Sequence, residues 1–152
     1  MIIIKNPAKD IISEIENWLE KHYYELKYIF VIDSVYIRIY PKMSQEDLDK
    51  FKKDIECDIS LEGVSYNSNG DKEFKYDCNS IKLNEYGLYV RNWLKKYDFG
   101  NFVFIYSTGF KFKTPSKLSD YEINLIENEF KVRCKGYSIS CNSNDIDYEF
   151  YQ

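Results

Sequence analysis

Asn17-Trp18-Leu19-Glu20-Lys21 returns 75 residues later as Asn92-Trp93-Leu94-Lys95-Lys96, four of the five positions unchanged. Self-similarity at a fixed period decides the architecture before any single motif is weighed. The same offset carries Lys42 and Ser44 onto Lys117 and Ser119, and Ser65, Asn67, Ser68 and Asn69 onto Ser140, Asn142, Ser143 and Asn144. Apolar positions keep step between these identities: Met43 with Leu118, Leu48 with Ile123, Phe51 with Ile126, Ile55 with Phe130, Val64 with Ile139. Twice the period nearly exhausts the 152 residues. The chain therefore reads as one domain, 1–152, made of two fused repeats of about 1–78 and 79–152.

Each repeat carries the same order of local signals. Asn6 and Pro7 supply a cap and a first helical position, and Ile11, Ile15, Trp18, Leu19 and His22 recur at helical spacing, predicting a helix over about 7–23. The second copy predicts a shorter helix, capped by Asn84, with a stripe of Tyr86, Tyr89, Val90, Trp93, Leu94 and Tyr97. Hairpins follow: 27–32 with 35–40 around Asp33 and Ser34, then 102–106 with 110–113 around Thr108 and Gly109. Pro41 and Pro115 end the second strands, because proline has no N–H to give a ladder. Ser44 with Asp47 and Ser119 with Glu122 resemble capping boxes, the second more closely because its third residue is glutamate.

Behind these caps run Leu48, Phe51 and Ile55 in one copy and Ile123, Ile126 and Phe130 in the other. Two strands close each repeat, 58–66 with 73–78 and 132–141 with 146–151, joined by an Asn-Ser-Asn turn, with Gly63 and Gly136 as bulges. The predicted fold is α+β: two tandem helix-strand-strand-helix-strand-strand repeats related by a pseudo-twofold, giving antiparallel sheet with helices on one face.

Composition limits the function classes. The chain is 44% hydrophobic and 30% charged, enough for a globular core, and its net charge of −4 disfavours wholesale polyanion binding. Met1–Lys5 is too short for a signal peptide's apolar region, and no run approaches the roughly 18 apolar residues of a membrane span. The expectation is a soluble cytoplasmic protein with no membrane partner. Cys57, Cys78, Cys134 and Cys141 form no CxxC pair and are expected as reduced core thiols. No metal or cofactor is expected: His22 is the sole histidine, read as packing or capping, and no glycine-rich phosphate loop occurs.

The element order resembles the half-unit of the LAGLIDADG homing endonucleases, in which two copies form a saddle over DNA. That family's first helix ends in a metal-binding acidic residue followed by glycine. Here Tyr97-Asp98-Phe99-Gly100-Asn101-Phe102 places Phe99 at the acidic position, and Tyr24-Glu25-Leu26 lacks the glycine. The resemblance stops at element order, and the chain is not assigned to that family.

With helices on one face of the sheet, function is expected on the other. Alternation in the last strand turns Ile146, Tyr148 and Phe150 one way, leaving Asp145, Asp147, Glu149 and Tyr151 the other; the matching strand offers Asp71, Glu73, Lys75 and Asp77. The hairpins add Tyr36, Arg38 and Tyr40, and Lys111 and Lys113. In the plain reading these charges pair across strands and keep the sheet soluble. In the sharper one, Asp145, Asp147, Glu149, Tyr151, Asp71, Glu73 and Asp77 bind a partner, carboxylates steering a basic surface and tyrosines supplying contact area. Trp18 and Trp93 are read as core anchors. No carboxylate pair or Cys/His arrangement singles out catalysis, so no enzyme is expected.

The function expected from sequence is thus a small non-catalytic inhibitor, of the immunity-protein or phage anti-defence kind. It would occlude a basic or nucleic-acid-binding surface of a partner protein such as a nuclease or another nucleic-acid-processing enzyme. The alternatives are a small ligand or nucleotide held between the repeats, and nucleic acid held by Arg38, Lys111 and Lys113.

Overall fold

Both copies fold in the predicted order. The computed structural model describes residues 5–100, 102–139 and 144–152. The first copy comprises α1 (Ala8–Lys21), β1 (Glu25–Ile32), β2 (Ser34–Tyr40), α2 (Gln45–Ile55), β3 (Cys57–Tyr66) and β4 (Lys72–Ser80). The second comprises α3 (Ile81–Lys96), β5 (Val103–Ile105), β6 (Gly109–Thr114), α4 (Asp120–Phe130), β7 (Arg133–Ile139) and β8 (Ile146–Tyr151). The described strands form two four-stranded antiparallel sheets with one topology, β1-β2-β4-β3 and β5-β6-β8-β7. Pro7–Asn84 forms one unit; Glu85–Gln152, with the residues just before Pro7, forms the other, so the division falls inside α3.

The cap signals are realised. Ser44 accepts from the Asp47 N–H, and Ser119 with Glu122 makes the full reciprocal box. Pro41 and Pro115 directly follow β2 and β6. Strand register slips beside both Gly63 and Gly136, where Glu62 and Lys135 are the extra residues; Gly136 has a φ of 137°, which suits glycine.

Three local expectations need correction. Asn6 does not cap α1: Pro7 holds that position, and the Asn6 amide donates to the Tyr106 carbonyl. Asn84 lies within α3, which begins at Ile81 with Ser80 Oγ accepting from Leu83 N–H and is longer than α1. Nor is the repeat offset constant. Val35 pairs with Cys78 where Phe110 pairs with Phe150, so the offset is 75 on β2/β6 and 72 on β4/β8. The Asn67 turn is closed by its Oδ1, which accepts from Asn69 and Asp71 N–H. Its counterpart at 142–144 falls largely outside the described residues, as do Ser140, Cys141, Asn101 and Met1–Ile4.

Each unit buries one face of its sheet under its helices. In the first, Val35, Ile37, Ile39, Tyr76 and Cys78 meet Ile11, Ile15, Leu19 and Phe51 in the buried core, with the Trp18 ring edge-on to Phe51 at 4.9 Å. In the second, Phe110, Phe112, Tyr148 and Phe150 stack along the sheet, and Phe130 of α4 meets Phe110 at 5.1 Å and Trp93 of α3 at 5.1 Å. Trp18 also donates to Asp54 at 2.9 Å, tying α1 to α2; Tyr89 donates to Glu129, tying α3 to α4. Each tryptophan therefore bridges two helices within its own unit. Buried Tyr76 and Tyr148 each accept from a loop N–H, of Met43 and of Leu118. These bonds fix the segment between the second strand and second helix of each copy.

Candidate binding surface

Because the helices cover one face of each sheet, strand alternation alone determines what the other presents. In the Pro7–Asn84 unit it presents Tyr28, Phe30, Tyr36, Arg38, Lys75, Asp77 and Ser60, and register makes neighbours of them. Tyr36 sits between Phe30 and Asp77, Arg38 between Tyr28 and Lys75, and Asp77 between Tyr36 and Ser60. The rings form a shelf: Tyr28 to Phe30 is 5.1 Å and Phe30 to Tyr36 is 5.0 Å between centroids. Tyr28 remains 48% exposed. Arg38 lies 5.3 Å over the Tyr28 ring and 4.0 Å from Glu73.

The predicted acids are unequally presented. Asp71 is exposed and belongs to the Asn67 turn, with its side chain accepting from the Asn67 amide at 3.3 Å. Glu73 is only 7% exposed, beside Arg38, and so presents almost nothing to a partner. Asp77 is half-buried at the centre of the face, and its Oδ1 is buried and accepts no hydrogen bond among the described residues. In the other unit Asp145, Asp147, Glu149 and Tyr151 are all half-buried on β8 or just before it. There Lys113 stands opposite Asp147 and Lys111 opposite Glu149 in register, the cross-strand placement of opposite charges that the plain reading expects. Tyr151 packs 6.3 Å from Tyr106 and lies under the Lys135 ammonium at 5.2 Å. A shallow cleft of about 230 Å³ lies between β7 and β8 over Gly136, Ser138, Asp147 and Glu149.

Electrostatics distinguishes the two faces. Burial raises the Tyr36 phenol pKa, and the carboxylates of Asp77, then Glu62 and Asp33, raise it further. Of these acids, Asp77 stands directly opposite Tyr36 in register. Burial likewise raises Tyr151, helped by Glu149. Tyr28 and Phe30 escape sequence reading because β1 is an almost unbroken apolar run, in which alternation leaves no visible trace. Glu62 escapes because it is the extra residue of the bulge, which strand alternation does not place.

The remaining reactive groups have structural roles. His22 stacks on Trp18 at 3.8 Å, and its Nδ1 lies 2.7 Å from the Trp18 carbonyl oxygen, the packing role expected of it. Cys57 and Cys78 are buried free thiols; a hydrogen bond from Cys57, reinforced by burial, holds the Cys78 pKa well above the usual thiol range. Burial also raises Cys134. These directions oppose the thiolate a nucleophile needs. Among the described residues no group of three or more His, Cys, Asp or Glu side chains is arranged to hold a metal, and no helix is long and apolar enough to cross a membrane.

No protein-family model matches this sequence, and comparison with curated proteins and with solved structures returns no similar protein.

Proposed function

We propose that the chain is a non-catalytic inhibitor that works by contact. It lays a bare sheet face on the basic or nucleic-acid-binding surface of a partner protein, in the manner of an immunity or phage anti-defence protein. The observation that carries this reading is the face of the Pro7–Asn84 sheet, where an exposed aromatic shelf borders carboxylates that raise the Tyr36 phenol. Aromatic rings supply contact area at low entropic cost, and flanking carboxylates steer a cationic surface into register. Catalysis has no comparable support, since the histidine stacks on tryptophan and the described thiols with shifted pKa values are pushed away from ionisation.

The test mixes the chain with nucleases and other nucleic-acid-processing enzymes encoded beside its gene, following complex formation and cleavage rate together. A partner should be bound and slowed, and a variant reversing Asp77, Asp145, Asp147 and Glu149 to lysine should lose both effects while keeping its circular dichroism. Inhibition that survives the reversal would remove these sheet faces from the mechanism. Salt-sensitive retention on a DNA or RNA column, with no protein bound, would shift the assignment to nucleic acid.

A further inference from the structure

The outer side of a sheet's edge strand leaves backbone N–H and C=O groups without a ladder partner, and proteins guard such edges with charge, proline, bulges or brevity. Three of the four described edge strands are guarded in these ways. β3 carries Asp58 and, in mid-strand, the Glu62 bulge; β7 carries Arg133 and the Lys135 bulge; β5 is three residues long. β1 is the exception. Its bulge residue, Lys27, lies towards one end, and from there to the Asp33 turn run Tyr28-Ile29-Phe30-Val31-Ile32, five residues without a charge, glycine or proline. Tyr28 is exposed, and Ile29, Phe30 and Ile32 are half-buried. No described strand pairs with the outer side of this run.

We propose that β1 pairs antiparallel with β1 of a second copy of this chain, about a twofold axis at Phe30, joining two first sheets into one continuous sheet. The inference goes beyond the inhibitor reading and does not depend on it. A twofold contact must be self-complementary, each residue meeting a partner that meets it in return. Only one antiparallel register pairs all five residues: Tyr28 with Ile32, Ile29 with Val31, and Phe30 with its own copy. Paired residues there are an even number of positions apart, so each side chain keeps its face of the sheet. The same register settles the charges. Lys27 and Asp33, which flank the run, come beside Asp33 and Lys27 of the second copy, so unlike charges meet at both ends. Lys27 also holds Glu25 of its own strand at 2.7 Å, and that acid lies outside the paired run. A foreign strand satisfies the backbone equally well, but the charge match at both ends is a property of this segment with itself.

The experiment sediments the full chain over a wide concentration range and reads amide hydrogen exchange at both ends of it. The unaltered chain should pass from monomer to dimer as concentration rises, with exchange protection gained over residues 28–32. Phe30→Lys sets two ammonium groups face to face at the axis and should leave a monomer with unchanged circular dichroism. Lys27→Glu and Asp33→Lys should each weaken self-association about tenfold, since each makes both ends like-charged. Mixed one to one, these two variants should associate as tightly as the unaltered chain, because each then meets the opposite charge on the other. Damage confined to either variant's own fold would not be rescued by mixing, so the mixture decides even where Phe30→Lys fails to fold. A chain monomeric at every concentration, a dimer indifferent to a folded Phe30→Lys, or a mixture no tighter than its components would overturn the proposal. So would a chain that stays monomeric yet binds a peptide of residues 27–33, which would give the edge to a strand of another protein.

Discussion

Replacing Tyr76 by phenylalanine removes one oxygen from the centre of the first unit and leaves the ring in place. The Met43 N–H loses its acceptor, which now lies at 3.0 Å, and both residues are at most 2% exposed, so water has no ready route to the orphaned donor. Leaving a buried N–H unsatisfied costs about 1–3 kcal/mol, whereas no cavity penalty accompanies a Tyr→Phe change. With about 2–4 °C per kcal/mol for a chain of this size, a loss near 2 kcal/mol lowers Tm by roughly 4–8 °C. Tyr148→Phe should do the same in the second unit, where the Leu118 N–H lies 2.8 Å from the hydroxyl. The two losses should add, because each variant strips a different loop of its only such anchor of this kind described above. The assay is urea and thermal unfolding followed by circular dichroism, with Tyr121→Phe as control, since that residue is 73% exposed. Tyr76→Phe matching the control within about 0.5 kcal/mol would refute the reasoning, because the amide would then have found another partner.

Two further outcomes follow from the geometry. Gly109→Ala should be strongly destabilising, by about 3 kcal/mol, since its Cβ would lie 1.9 Å from the Phe150 carbonyl oxygen; Gly63→Ala, with nothing within 4 Å, should be neutral or gain up to ~1 kcal/mol, as chemical denaturation would read. Alkali should unfold the chain partly through Tyr86, whose burial, helped by Tyr89, raises its pKa to about 12. The folded state holds that proton more tightly than the unfolded chain, so this contribution is complete below pH 10 and is lost towards pH 12. It amounts to roughly 3 kcal/mol, and Tyr86→Phe should flatten the stability profile over that window.

Much of the architecture was legible because its causes are local. Helical and strand periodicities, the Ser44 and Ser119 caps, the prolines after β2 and β6 and the glycine bulges are all properties of short segments, and the 75-residue echo shows that they occur twice. Alternation also correctly assigned Tyr148 and Phe150 to the core and Tyr36 and Arg38 to the opposite face. The start of α3 was misread because Ser80, a strand's last residue, doubles as its cap.

The candidate surface was less legible because alternation names a face but not a neighbour. In both sheets the decisive contact is between the second and fourth strands, which are separated in sequence by a helix and another strand. Only their register places Glu73 under Arg38, sets Lys111 against Glu149 and leaves Asp77 against Tyr36. A shortening by three residues between β6 and β8 relative to β2 and β4 brings different side chains into opposition in the two copies. From one duplicated plan, the sequence alone determines two similar sheets; cross-strand pairing decides that acids stand opposite lysines in one and that Asp77 stands opposite Tyr36 in the other.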